Sequence, residues 1–168
     1  MIIKCSSPKT LQTVEKVDLE KYMGKWYEIA AFPQPYEKNC ACVTAEYNLT
    51  AKGYVKVVNK CRKKDSKKWK SIKGKAFVQE GSENSKLKVQ FFWPFRGDYY
   101  IIDLAKDYSY AVVGSPDRES LWVLGRKPEM EDSTLKKLKK VATGKGFDVN
   151  KLQETDQSCY TGDKSKNF

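Results

Sequence analysis

The chain has 168 residues, with 10 Gly and 6 Pro; it is 40% hydrophobic, 12% aromatic and 32% charged, a composition that fits one globular domain able to bury its own core and leaves no apolar run near the ~18 residues of a membrane-spanning helix. It contains no His, which excludes Ser/His/Asp and Cys/His nucleophilic sites, His-ligated zinc and a proximal haem His, so neither a metal nor a cofactor is expected. Lys and Arg total 32 against 21 Asp and Glu, a net charge of +11, with Arg only at Arg62, Arg96, Arg118 and Arg126; an excess built of lysine suits solvated faces and diffuse attraction to anions better than bidentate recognition of bases or phosphates.

Residues 1–17 read as an N-terminal arm, 18–160 as one domain and 161–168 as a tail. The run Trp26 to Phe32 is apolar and stops at Pro33 and Pro35. Residues 41–49 alternate, with Val43, Ala45, Tyr47 and Leu49 on one side, and after the turn Thr50 to Gly53 the alternation resumes as Val55, Val57, Asn59 and Cys61 against Lys56, Lys60 and Arg62. These two segments predict a hairpin. Further strands are expected at 69–79 (Ile72, Gly74, Ala76 and Val78 on one face), 86–93 (Leu87, Val89, Phe91 and Trp93), 98–104, 108–114 and 120–127, the last two joined by a turn at Ser115 to Arg118. Only then does a helical period appear: Leu135, Leu138, Val141 and Ala142 recur every three or four residues, from a cap at Asp132 or Ser133 to Gly144 or Gly146. Eight consecutive antiparallel strands close most economically as an up-and-down β-barrel with the helix packed outside, an all-β fold whose interior holds one small ligand; a sandwich is the alternative.

The five cysteines, at positions 5, 40, 42, 61 and 159, lack the CxxC spacing of zinc and redox sites and read instead as disulfide partners, which implies an extracytoplasmic compartment and leaves at least one Cys over. Met1 to Lys4 is too short for a signal peptide, so export requires a preceding leader. Cys5-Ser6-Ser7 resembles the start of a mature bacterial lipoprotein, although Lys4 is not the small residue expected before an acylated Cys.

Gly24-Lys25-Trp26-Tyr27-Glu28-Ile29 and Leu121-Trp122-Val123-Leu124-Gly125-Arg126 resemble the first and third signature regions of lipocalins, and the resemblance to the branch containing apolipoprotein D and the bacterial outer-membrane lipocalins covers about residues 18–159. It implies a calyx in which the Trp26 indole plugs the closed end beneath the Arg126 guanidinium, with Gly24 beside them, a cation–π contact of roughly 1 to 2 kcal/mol. The second signature departs from the pattern: Leu104-Ala105-Lys106-Asp107 stands where Thr-Asp precedes the aromatic pair, leaving Asp107 either to substitute from a shifted position or to hold the loop differently. The resemblance further implies the bridges Cys42–Cys159, worth about 4 to 5 kcal/mol in the chain-entropy model, and Cys40–Cys61, worth about 3. Strand parity demands a bulge near Cys40 or Ala41 for this, and the swapped pairing stays open. Cys5 has no evident partner. The implied location is the bacterial outer membrane or periplasm, or secretion.

The function expected is binding, transport or storage of a small hydrophobic ligand such as a fatty acid, lysophospholipid, sterol or isoprenoid, by a monomer or weak dimer. Tyr47, Asn59, Ala76, Phe91, Tyr110 and Trp122 are the expected ligand contacts, with Gly74 and Ala76 leaving room. Asn59 is the informative residue, because a strand Asn between Val57 and Cys61 is costly when buried without a partner. The alternative is a single-stranded nucleic-acid or anionic membrane-surface module using residues 86–100, where aromatics mix with Lys86, Lys88 and Arg96. Lysines alternating along outer faces argue against nucleic acid, whereas the loop Trp93 to Gly97 suits association with a membrane. No residue pattern specifies an enzyme.

Overall fold

A computed structural model describes residues 9–92 and 94–162. Cys5, Trp93 and residues 163–168 lie outside the described residues. A short helix α1 (Leu19–Tyr22) precedes β1 (Gly24–Ala31), a 3₁₀ turn (Pro35–Glu37), β2 (Cys40–Leu49), β3 (Val55–Lys63), β4 (Trp69–Val78), β5 (Lys86–Phe92), β6 (Phe95–Leu104), β7 (Tyr110–Gly114) and β8 (Leu121–Gly125); then come α2 (Asp132–Gly144), a two-residue strand β9 (Gln153–Glu154) and a last turn of helix α3 (Ser158–Thr161). Neighbouring strands pair antiparallel in sequence order, β8 pairs with β1, and β1 pairs with β2, so the eight long strands close on themselves. The expected barrel is the observed one, with β9 added beside β1.

The alternation read from the sequence sorts the core into two. Trp26, Tyr47, Val55, Val57, Ala76, Leu87, Ile101, Ala111, Val113 and Leu124 fill the barrel. Ile29, Ala30, Phe32, Ile102, Val112, Leu121 and Val123 project outward and are covered by Leu135, Leu138 and Ala142 of α2 and by Phe147. The helix therefore buries its apolar stripe against one outer wall, leaving its lysines in solvent.

Three details differ from the sequence reading. The hairpin between β5 and β6 is tighter than expected: Phe92 pairs with Phe95 and Val89 with Gly97, so residues 95–97 belong to a strand. Residues 9–17 are woven into the barrel, with Leu11 and Val17 buried, Val14 N donating to Ile101 O at 3.0 Å and Val17 N to Glu83 O at 2.9 Å. Tyr110 opens β7 facing outward. Ala111 and Val113 take the inner face, so Tyr110, an expected ligand contact, points away from the interior; the left-handed backbone of Tyr108 (φ 59°) precedes it.

Both bridges form, Cys40–Cys61 with Cα atoms 5.6 Å apart and Cys42–Cys159 at 6.0 Å. The bulge that parity demands lies between Ala41 and Thr44, where Cys42 adopts φ 56°.

Candidate functional site

The closed end is built on Trp26, which is fully buried and donates from Nε1 to Tyr22 O at 2.9 Å. The Arg126 guanidinium carbon lies 3.7 Å from the Trp26 ring centroid, and its nitrogens donate to the carbonyls of Lys21, Tyr22, Lys25 and Tyr108 at 2.8 to 3.3 Å. Four carbonyls from three segments converge on one cation. Gly24, at φ 94°, supplies a backbone conformation that a side chain would strain beside Arg126. In the departing second signature, Asp107 accepts from Ser109 N at 3.0 Å and so caps its own turn, while Tyr108 Oη accepts from Asp18 N at 2.9 Å.

One layer higher, three tyrosines join hydroxyls: Tyr22 to Tyr99 at 2.7 Å, and Tyr99 to Tyr47 at 3.0 Å. Burial raises the pKa of all three, that of Tyr47 to about 12, so they form a neutral hydrogen-bonded floor. The space left beside them, lined by Tyr22, Tyr47, Val55, Ala76, Leu87 and Tyr99, is about 10 Å³, the size of a single water. Tyr47 and Ala76 thus belong to a packed floor.

Above this floor the wall loosens. Ala45, Asn59 and Ile72 form one inward row across β2, β3 and β4, and with Phe91 and Trp122 they are only half-buried. Asn59 Oδ1 is buried and accepts no hydrogen bond. Gly74 leaves no vacancy, because a Cβ there would meet the Phe91 ring and Gln90 O at 2.7 Å; the ring of Phe91 already occupies that space. Three of the six expected contacts, Asn59, Phe91 and Trp122, are half-buried and stand apart from the packed floor that holds Tyr47 and Ala76, and Tyr110 packs outside with Tyr27, Tyr100 and Met130.

The sequence reading missed the seam. Pairing of β1 with β2 stops at Tyr27 and Thr44. Beyond that point the segment 153–157 lies along both strands: β9 pairs with Ala30 and Ala31, Thr155 N donates to Ile29 O at 2.9 Å, and Cys42 N donates to Asp156 O at 2.7 Å. Glu28, on the same face of β1 as Trp26, is 6% exposed and accepts from Thr155 Oγ1 at 2.6 Å. Glu37, from the 3₁₀ turn over the mouth, hydrogen-bonds the Glu28 carboxyl. Burial, reinforced by the Glu28 charge, pushes Glu37 up to about 8, and burial raises Glu28 too, so the pair retains a proton that a solvated carboxyl would lose. A Glu inside the apolar run 26–32 was the available signal.

A broader groove of about 740 Å³ runs outside the barrel past Arg62, Pro128 and Cys159. It is open to solvent and as polar as it is apolar, unlike the walls a hydrophobic ligand requires. Among the described residues no cluster of His, Cys, Asp and Glu is arranged to hold a metal, and no helix is long and apolar enough to cross a membrane.

Known proteins share this plan. Residues 17–157 match the model of the Lipocalin-like domain. The chain is 39% identical over 155 residues to the outer membrane lipoprotein Blc of Escherichia coli (strain K12), covering 90% of this chain and 88% of that protein. It is 36% identical over 159 residues to temperature-induced lipocalin-1 of Arabidopsis thaliana (89% and 84% covered) and 37% identical over 163 residues to apolipoprotein D of Mus musculus (92% and 83%). In fold it resembles insecticyanin from the tobacco hornworm Manduca sexta, with a TM-score of 0.69 at 20% identity over 87% of this chain and 84% of that one. With the closed barrel, the capped Trp26 and a family match spanning nearly all its strands, the chain belongs to the lipocalin family, whose members bind small hydrophobic ligands.

Proposed function

We propose that this lipocalin binds and carries one single-chain hydrophobic molecule, a fatty acid or lysophospholipid before a sterol or isoprenoid, in the upper chamber of its barrel. The observation that carries this reading is the contrast between a packed tyrosine floor and a half-exposed wall of Ala45, Ile72, Phe91 and Trp122 that contains one unpartnered amide oxygen, at Asn59. An apolar wall with a single polar group fixes a chain and orients its head. Asn59 Oδ1 accepts a hydrogen bond, so it suits a hydroxyl or a protonated acid. The two disulfides and the bacterial relatives named as outer membrane lipoproteins support an extracytoplasmic location. The chemistry of the chamber is that of binding rather than catalysis.

Native mass spectrometry of the protein purified without detergent tests this. A co-purifying or added lipid is expected at 1:1 stoichiometry, released by organic solvent and quenching Trp122 fluorescence. A protein that stays empty at saturating fatty acid and lysophospholipid would overturn the reading.

A further inference from the structure

More than half of the charge excess sits in one hairpin. Residues 60–70 hold six lysines and Arg62 against the single acid Asp65, a net +6 of the chain's +11. They form the end of β3, a turn and the start of β4. The turn is ordered: Lys63 N donates to Lys68 O at 2.8 Å, Lys67 N to Lys63 O at 2.9 Å and Arg62 Nε to Lys67 O at 3.0 Å. It is also tied to the neighbouring mouth loop, since Lys64 N donates to Asn39 O at 3.0 Å and Lys63 Nζ to Lys38 O at 3.3 Å. The strand directions put this turn, the β1–β2 loop and the β5–β6 turn at one end of the barrel, opposite Trp26 and Arg126.

The same end carries exposed apolar side chains. Among the described residues five large hydrophobics stand out into solvent, and four of them belong here: Tyr36 at 50%, Trp69 at 46%, Phe92 at 68% and Phe95 at 77% exposed. The fifth, Leu49, sits at the far end. Ordinary solvation explains a lysine-rich hairpin, and it explains a stray Phe, but not both gathered on one rim around the mouth of an apolar chamber.

We infer that the open end of the barrel docks on an anionic lipid bilayer, with Phe92, Phe95 and Trp69 entering the headgroup layer while the lysines at 63–70 meet its negative charge. Positive charge seeks the anionic surface and the aromatic tips require an apolar layer just beneath it, a combination a bilayer supplies. A nucleic acid offers the charge without that layer, and its bases stack along a groove, whereas these rings cap the ends of separate hairpins. The surface stands whatever the chamber holds.

The test uses the full chain with vesicles of phosphatidylcholine alone or with about one-third phosphatidylglycerol. Binding is expected to the anionic vesicles only and to weaken as salt rises. Because each lysine near such a surface contributes about fivefold, the quadruple variant K63E/K64E/K67E/K68E is expected to weaken partitioning by more than about tenfold. F92S/F95S should weaken it about tenfold while leaving the salt dependence in place. The comparison variant is K136E/K137E/K139E/K140E, which changes the same charge on α2; it should bind within about threefold of the wild type. Apart from half-buried Lys139 and Lys63, whose Nζ also reaches Lys38 O, the three variants alter exposed side chains, and a thermal melt confirms that each folds. As an insertion readout, F92W should be quenched by brominated acyl chains. Equal losses from the mouth and α2 variants would reduce the effect to net charge and overturn the proposal, as would no binding to anionic vesicles. So would an oligodeoxythymidine that binds through the mouth lysines while vesicles do not.

Discussion

The side-chain amide of Gln157 donates to the Glu28 carbonyl oxygen at 2.7 Å and, across the seam, to the Val43 carbonyl at 2.9 Å. One buried side chain from near the C-terminus thus replaces the ladder where β1 and β2 part. Gln157→Ala leaves two buried carbonyls without this donor, and at about 1 to 3 kcal/mol each the expected loss is about 2 to 6 kcal/mol. Urea unfolding reads it. A loss below about 1 kcal/mol would mean that the backbone bonds of residues 153–156 hold the seam unaided.

The Cys42–Cys159 bridge fastens the same segment. Its loop of 117 residues makes it worth about 4 to 5 kcal/mol in the chain-entropy model, so C42S/C159S should lower stability more than C40S/C61S and expose the segment after Leu152 to proteases. Titration of the denatured, unreduced protein should find one thiol per chain, Cys5. Finding five would remove the disulfide argument and the compartment inferred from it.

Glu28 and Glu37 set a pH dependence. Glu37 keeps its proton up to about 8 in the fold, whereas the unfolded chain releases it near the ordinary value of 4.5. The folded state therefore binds more protons between these limits, so the stability contributed by the pair is fully present below about 4.5 and is lost as pH rises toward about 8. The groups facing the pair are Thr155, Tyr36 and Tyr47, and with no His in the chain little else titrates in that window. Melting temperature should fall from pH 5 to pH 8, and Glu37→Gln, which keeps a neutral hydrogen-bonding side chain, should flatten the decline. Parallel curves for wild type and variant would refute the assignment.

Periodicity made the barrel legible because it is set strand by strand: Val55, Val57 and Cys61 face in for the same local reason that Lys56 and Lys60 face out. Depth along the barrel is not local. Parity puts Tyr47 and Asn59 on the same inner face, but only the assembled fold shows Tyr47 locked into the floor by Tyr99 and Asn59 Oδ1 left without a partner. The partnership of Glu28 with Thr155 spans 127 positions and follows no period, and the segment 153–157 is too short to announce itself as a strand. The basic run 60–70 was visible in the sequence. Its meaning was not, until the strand directions put it beside Phe92 and Phe95.

Trp26 and Arg126 should behave as one unit. Trp26→Ala removes a fully buried indole and is expected to cost about 3 to 5 kcal/mol, against less than about 1 kcal/mol for Trp69→Ala, which is 46% exposed. Arg126→Ala takes a donor from four carbonyls, of which Tyr22 O keeps the Trp26 Nε1 bond, and uncovers the Trp26 ring, so its cost should rival that of Trp26→Ala. The double variant should then lose less than the sum of the two, because each removes the contact the other would lose. Additive losses would place the stabilising energy of Arg126 in its hydrogen bonds alone.

Occupancy of the upper chamber has its own signature. Burying about a dozen ligand methylenes at ~0.8 kcal/mol each, less the cost of association and of ordering the chain, points to roughly micromolar affinity for a long-chain fatty acid or lysophospholipid. Ala76→Phe is a poor block, since Ala76 is 2% exposed beneath the tyrosine floor and an added ring there would overpack the core. Ile72→Trp is the better one: Ile72 lies in the half-exposed inner row with Ala45 and Asn59, so the larger ring fills the chamber while the floor stays intact. Phe91→Ala does the opposite, uncovering the space over Gly74 that the ring now fills, and should shift preference toward bulkier ligands such as sterols. Asn59→Leu should alter discrimination among head groups more than among chain lengths, because it removes an unpartnered acceptor from the inner wall. Fluorescence titrations through Trp122 measure all three, at low and high salt, since hydrocarbon burial is not screened. If Ile72→Trp folds with an unchanged melting temperature and still binds the lipid as the wild type does, the ligand lies outside the barrel.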